Sequence, residues 1–145
     1  MIDLPDNMFG FAIIPRTALR PNQSPYFATL SFQLPPRSYY IFYIEQGFSY
    51  SEEWIPLGKR FSIWYANFSI SQNSLIESRI GVESQSSQGI VTWLAQKWGY
   101  GDTDYLSGVF FDFEALTRPI YYIANYSNDT VYVDFTVFGV VEVVI

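Results

Sequence analysis

Hydrophobic and polar residues alternate over long stretches of this chain. In Tyr26 to Leu34 (YFATLSFQL) the alternation sets Tyr26, Ala28, Leu30, Phe32 and Leu34 on one face, because an extended strand points successive side chains to opposite sides. In residues 131–145 (VYVDFTVFGVVEVVI) it sets Val131, Val133, Phe135, Val137, Val141, Val143 and Ile145 on one wholly apolar face, and Tyr132, Asp134, Thr136, Phe138, Val140, Glu142 and Val144 on the other. Fifteen extended residues at about 3.3 Å each reach roughly 50 Å. A globule of this length has a diameter on the order of 40 Å, so such a strand must bend or leave the domain. Gly139 stands where a glycine inside a strand marks a bulge or a bend. Residues 139–145 are therefore a candidate C-terminal arm. Tyr132, Phe138, Val140, Val141, Val143, Val144 and Ile145 are a candidate assembly surface, since a strand added to a neighbour's sheet satisfies its backbone groups there.

Further strands are expected at Phe9 to Ile14, Ser38 to Gln46, Arg60 to Ile70, Leu75 to Glu83, Val109 to Glu114 and Ile120 to Tyr126. All are rich in β-branched and aromatic residues between clusters of Pro, Gly, Asn and Ser. About eight strands at this spacing predict an all-β antiparallel sandwich of jelly-roll type, folded as one domain over residues 1–145. Residues 88–98 (QGIVTWLAQKW) fit two patterns: a short helix with Val91, Leu94, Ala95 and Trp98 on one face, or another strand. Ser127-Asn128-Asp129-Thr130 is expected to close a final hairpin, with Asn and Asp suited to the positive φ angles of a tight turn.

Aromatic residues make up 20% of the chain and occur as neighbours at Tyr39-Tyr40, Trp64-Tyr65, Phe110-Phe111 and Tyr121-Tyr122. Adjacent strand residues face opposite ways, so one ring of each pair should lie on an outer sheet surface. An exposed aromatic surface marks an interaction face, unless loops or residues 88–98 cover it. Trp54, Trp64, Trp93 and Trp98 are a second candidate set, able to stack on the flat apolar faces of sugar rings. Tryptophan in a small sandwich also serves as core.

Composition narrows the chemistry. With no Cys and no His, disulfides, thiol nucleophiles, zinc sites built on those residues and His-based triads are excluded. The net charge of -6 is uneven, with seven basic and seven acidic residues in 1–97 but one basic and seven acidic in 98–145. No basic stripe is present for a nucleic acid. Asp102 and Asp104 resemble the start of a calcium loop, but Leu106 follows two positions on and no glutamate closes twelve residues. Asp112 and Glu114 would share a strand face, as a glycosidase carboxylate pair might, without a visible cleft. No catalytic residue, metal site or cofactor is assigned. Four of the six Asn residues begin an N-x-S/T pattern, Asn22, Asn67, Asn125 and Asn128, and are candidate glycosylation sites. Neither a signal peptide nor an apolar run long enough to span a membrane is evident. Synthesis in a host cytoplasm is the natural expectation.

The closing segment PIYYIANYSNDTVYVDFTVFGVVEV, residues 119–143, resembles the last hairpin of small single jelly-roll virion proteins, and LPPRSYYIFY, residues 34–43, is similar to an earlier strand entry of that kind. The resemblance implies a non-enzymatic capsid, penton, turret or decoration subunit of an icosahedral virion. Its partners would be copies of itself or other virion subunits. A carbohydrate- or receptor-binding module is the alternative.

Overall fold

The computed structural model describes residues 19–44, 53–106 and 111–144. The expected strand at Phe9 to Ile14 and residue Ile145 lie outside these residues. So do parts of the segments expected at Ser38 to Gln46 and Val109 to Glu114.

Among the described residues, nine strands form two antiparallel sheets packed as a sandwich, with one 3-10 turn at Gln85–Ser87. The strands are β1 (Gln23–Leu34), β2 (Tyr39–Phe42), β3 (Lys59–Ile70), β4 (Leu75–Ser84), β5 (Val91–Tyr100), β6 (Thr103–Leu106), β7 (Asp112–Phe113), β8 (Thr117–Asn125) and β9 (Val131–Val143). Sheet A has the order β1-β9-β3-β6, with β7 also on β3, and sheet B has the order β2-β8-β4-β5. The last two strands thus return to lie between the earliest ones, which is the doubly wound Greek-key order of a jelly roll. Among the described residues no helix is long and apolar enough to cross a membrane.

The alternation read from the sequence builds the core. Tyr26, Ala28 and Leu34 of β1 and Val131, Val133, Phe135, Val137 and Val141 of β9 are buried, facing Ile76, Ile80, Tyr121 and Ile123 of sheet B. Phe135 lies at the centre, its ring 4.6 Å from both Phe68 and Tyr121. Each such fully buried ring contributes roughly 2–3 kcal/mol.

Residues 139–143, expected as a possible arm, continue β9. They pair with Lys59 to Ile63 of β3 on one side, and residues 139–142 pair with Gln23 to Tyr26 of β1 on the other. The bulge sits across from Gly139 on β3, where Ile63 pairs with Gly139 and Tyr65 with Phe138, leaving Trp64 as the extra residue. Gly139 is needed for close approach: a Cβ there would lie 2.2 Å from the Ser62 carbonyl oxygen and 2.8 Å from the Phe61 ring. The bulge also changes an expectation. Trp64 and Tyr65 were read as facing opposite ways, but the ladder turns both to the outer face of sheet A, Trp64 beside Ser62 and Tyr65 opposite Phe138.

Residues 88–98 contain no α-helix: Val91–Tyr100 is β5, laddered on β4. A second bulge, between Ile80 and Gly81 on the β4 side, leaves Leu94 as an extra residue of β5. It slips the outward phase from Val91 and Trp93 to Gln96, Trp98 and Tyr100. Asp104, compared above with a calcium-loop position, lies within β6.

The segment joining β8 to β9 is not a hairpin turn, because the two strands belong to different sheets. Among the described non-glycine residues, positive φ occurs at Arg37 and Leu116, not at Asn128 or Asp129. Residues 126–130 arch from sheet to sheet, and Asn125 ties the arch. Its Oδ1 accepts from the Ser127 backbone N–H at 2.9 Å, while its Nδ2 donates to the Asp129 carbonyl at 2.7 Å.

Candidate functional site

The outer face of sheet B is a connected aromatic surface. Tyr122 and Ala124 of β8 and Tyr126 just beyond its end follow one another on that side. Tyr39 stacks on Tyr122 at 5.7 Å, Trp93 meets Tyr122 edge-on at 5.7 Å, and Trp98 stacks on Tyr126 at 5.1 Å. The guanidinium of Arg79 lies 4.7 Å from the Tyr122 ring centre and 5.4 Å from that of Trp93, a cation–π arrangement that holds both rings. Gly81 seats Trp93, since a Cβ there would lie 2.7 Å from the Trp93 ring. Ala124 leaves a notch of about 280 Å³ between the rings of Tyr39, Tyr122 and Tyr126, with Arg37 and Ser38 at its edge. Tyr39, Ile41, Trp98, Tyr100 and Tyr126 are exposed.

Beneath this surface sits a carboxylate. Glu77 is 1% exposed and accepts hydrogen bonds from Tyr126 Oη at 2.7 Å, Arg79 Nε at 2.8 Å and Gln96 Nε2. One layer of side chains shields it from water. Burial pushes its pKa up, but the bonds from Tyr126, Arg79 and Gln96 and the charge of Arg79 outweigh this and hold it below the usual carboxylate value. The same bond raises the Tyr126 phenol to about 12. The sequence reading named Trp93 and Trp98 here but missed Glu77, Arg79 and Gln96. The alternation Glu77-Arg79-Gly81, a charged pair on an outward strand face followed by a glycine, was the available signal.

The outer face of sheet A differs. A depression of about 520 Å³ is lined by Arg20, Gln23, Arg60, Ser62, Trp64, Asp112, Val140 and Glu142. Arg60 bonds Glu142 at 2.6 Å, Arg20 approaches the same carboxylate at 3.6 Å, and Ser62 donates to Asp112 at 2.5 Å. The hydrogen bond from Arg60 is the main reason the Glu142 carboxyl lies below its usual range.

The four tryptophans are therefore divided. Trp93 and Trp98 lie on sheet B, while Trp64 stands in the bulge on sheet A. Trp54 has a ring face occupied by Arg118, whose guanidinium is 4.1 Å from its centre and 3.7 Å from that of Tyr43. Arg118 also bonds Glu83 at 2.8 Å and Glu53 at 3.1 Å.

Of the residues expected at an assembly surface, Tyr132, Val143 and Val144 are exposed and Phe138 is half-buried. Val140 and Val141 are buried within the sheet, and Ile145 lies outside the described residues. Among the N-x-S/T sites, Asn22 and Asn128 are exposed and Asn67 is half-buried. Asn125 is buried, and the amide nitrogen that would carry a glycan donates to the carbonyls of Leu34, Pro35 and Asp129. Asp102 accepts from the Ile70 backbone N–H at 3.0 Å and so closes the end of β3, while Asp104 faces Tyr65 at 3.4 Å. Among the described residues no group of three or more His, Cys, Asp or Glu side chains could hold a metal ion.

No family model matches the chain, and no curated protein matches it in sequence. Several solved structures are similar to it. The decameric BFDV capsid protein aligns with a TM-score of 0.46 and 8% identity, over 83% of this chain and 97% of that chain. Bacillus endospore appendages, described as disulfide-linked pili, align with a TM-score of 0.44 and 7% identity, over 85% and 91%. The Yersinia pseudotuberculosis-derived mitogen aligns with a TM-score of 0.42 and 10% identity, over 79% and 86%. The jelly-roll assignment itself rests on the strand order of this chain.

Proposed function

We propose that this protein is a non-enzymatic structural subunit that assembles with copies of itself by burying the outer face of sheet B, in the manner of a minor capsid or decoration subunit of a virus particle. The observation that carries the reading is the locked aromatic array of Tyr39, Tyr122, Trp93, Trp98 and Tyr126. Tyr and Trp are the residues enriched in the buried centres of protein interfaces. Rings already held by stacking and by Arg79 lose little freedom on docking, which lowers the entropic cost of association. The virion setting is supported by the resemblance of residues 34–43 and 119–143 to small jelly-roll virion proteins.

The test is solution mass by light scattering over a concentration series, for the wild-type chain and for Trp98→Ser combined with Tyr126→Ser. The wild type should form a closed oligomer or larger particle. The double variant should remain monomeric at concentrations at least tenfold higher, about 1.4 kcal/mol or more of lost association energy, with an unchanged circular dichroism spectrum. A wild type that is monomeric throughout, or a double variant that assembles equally well, overturns the reading.

A further inference from the structure

The depression on sheet A has no part in that docking surface, since it lies on the opposite outer face of the sandwich. Its wall is Trp64, the extra residue of the β3 bulge, which is 40% exposed. Bulges re-aim side chains beside binding sites. This one sets a large apolar ring next to solvent where regular pairing would have allowed no extra residue. The space, about 520 Å³, is a shallow, open depression, so an occupant would lie against it with one face covered.

The lining narrows the chemistry of the occupant. Two guanidinium groups, Arg20 and Arg60, stand with two carboxylates, Asp112 and Glu142, so no net charge selects a phosphate, a sulfate or a polycation. Ser62 and Gln23 add groups that both donate and accept, and the buried Val140 lies at the floor. The charged groups are already oriented, Arg60 by Glu142 and Asp112 by Ser62. Each keeps unused capacity, because a guanidinium carries five N–H donors and a carboxylate about four lone-pair sites. An aromatic wall surrounded by donors and acceptors of both kinds matches a ring with an apolar C–H face and a rim of hydroxyls that each donate and accept.

We infer that the outer face of sheet A is a binding site for a neutral pyranose sugar, stacked on Trp64 and hydrogen-bonded by Arg60, Asp112 and their neighbours. The two faces of the sandwich then have separate tasks, one turned to the neighbouring subunit and the other to a sugar.

Saturation-transfer difference NMR on the full-length protein tests this whatever the size of its assembly. The probes are the methyl glycosides of glucose, galactose, mannose and N-acetylglucosamine. At least one should receive saturation on the ring protons of a single face, with binding on the order of 1 mM. Trp64→Ala should abolish the signal, and Asp112→Asn should weaken binding roughly tenfold. Trp98→Ser, on the other face, should leave it unchanged. Circular dichroism and the melting temperature verify that Trp64→Ala is folded, and Asp112→Asn provides an independent reading at a site that is exposed and isosteric. No saturation of any of the four glycosides, or saturation undiminished in Trp64→Ala, overturns the inference. Loss of assembly in the sheet B double variant would not affect it.

Discussion

The two outer faces of the sandwich are built by the same alternation yet differ in kind. On sheet B the outward residues of β5 and β8 include the rings of Trp93, Trp98, Tyr100 and Tyr122, and Glu77 is buried beneath the outer layer while its partner Arg79 stays partly exposed. On sheet A the outward residues of β9 include Tyr132, Asp134, Thr136 and Glu142, and the charges stay at the surface as the rim of a depression. Small residues and bulges, more than hydrophobicity, produce the difference. Gly81 and Ala124 let rings lie flat against sheet B, whereas Gly139 admits a bulge that raises Trp64 out of sheet A. Sheet B presents several adjoining rings with a notch between them, whereas the open depression on sheet A sets one ring among charged and polar groups.

Substituting one glycine and the two carboxylates separates these cases. The largest effect is expected for Gly139→Ala, because the added methyl group meets the Ser62 backbone oxygen at 2.2 Å and neither central strand can yield without breaking its ladder. Urea denaturation should show a loss of about 3 kcal/mol or more, together with loss of the sheet A hollow. If the loss is below about 1 kcal/mol, the bulge is not locked by this contact.

Glu77→Ala comes next, at about 2 kcal/mol, since it leaves Arg79 and Tyr126 without their shared acceptor under the aromatic layer. The pH dependence has a definite sign. A carboxylate whose folded pKa is depressed contributes stability that is present above its unfolded value, 4.5, and is lost as pH falls through the folded value. Tyr126, raised from 10.0 to about 12, contributes stability that is lost as pH rises through that interval. Wild-type stability should therefore decline on both sides, below about pH 4.5 and above about pH 10. Glu77→Gln should flatten the acid limb measured by urea titration at each pH.

The smallest effect is expected for Glu142→Gln. Its partners Arg20 and Arg60 are 69% and 44% exposed, and such surface pairs contribute about 0–1 kcal/mol. A stability change within about 0.5 kcal/mol would agree with a rim that serves recognition. A loss near that of Glu77→Ala would mean that the two faces share one structural logic.

Much of this architecture was legible from strand periodicity. The inward residues of β1 and β9 follow the predicted alternation, as Tyr26, Ala28, Phe135 and Val137 illustrate, because burial selects apolar residues at every second position. The candidate sites were less legible. Trp98 and Tyr126 are 28 positions apart in the chain and stack because β5 and β8 flank β4. The depression joins Arg20, Trp64, Asp112 and Glu142 from distant segments of the chain. Residues 88–98 were open to both a helix and a strand because the extra residue Leu94 interrupts the strand alternation there. The Asn-rich turn misled because turn residues serve equally in a hairpin and in an arch between sheets.

The sequence by itself determined that the chain forms strands, which side of each is apolar, that its rings exceed what one core can hold, and that Cys and His chemistry is absent. These are properties of neighbours in the chain, and local backbone geometry turns them directly into faces. Tertiary structure decided which sheet each strand joins, that residues 139–143 lie between β1 and β3, and which outward rings meet one another. Those outcomes depend on strand pairing over separations of up to a hundred residues or more, where competing registers are distinguished by the fit of side chains such as Gly81 under Trp93 and Gly139 against Ser62.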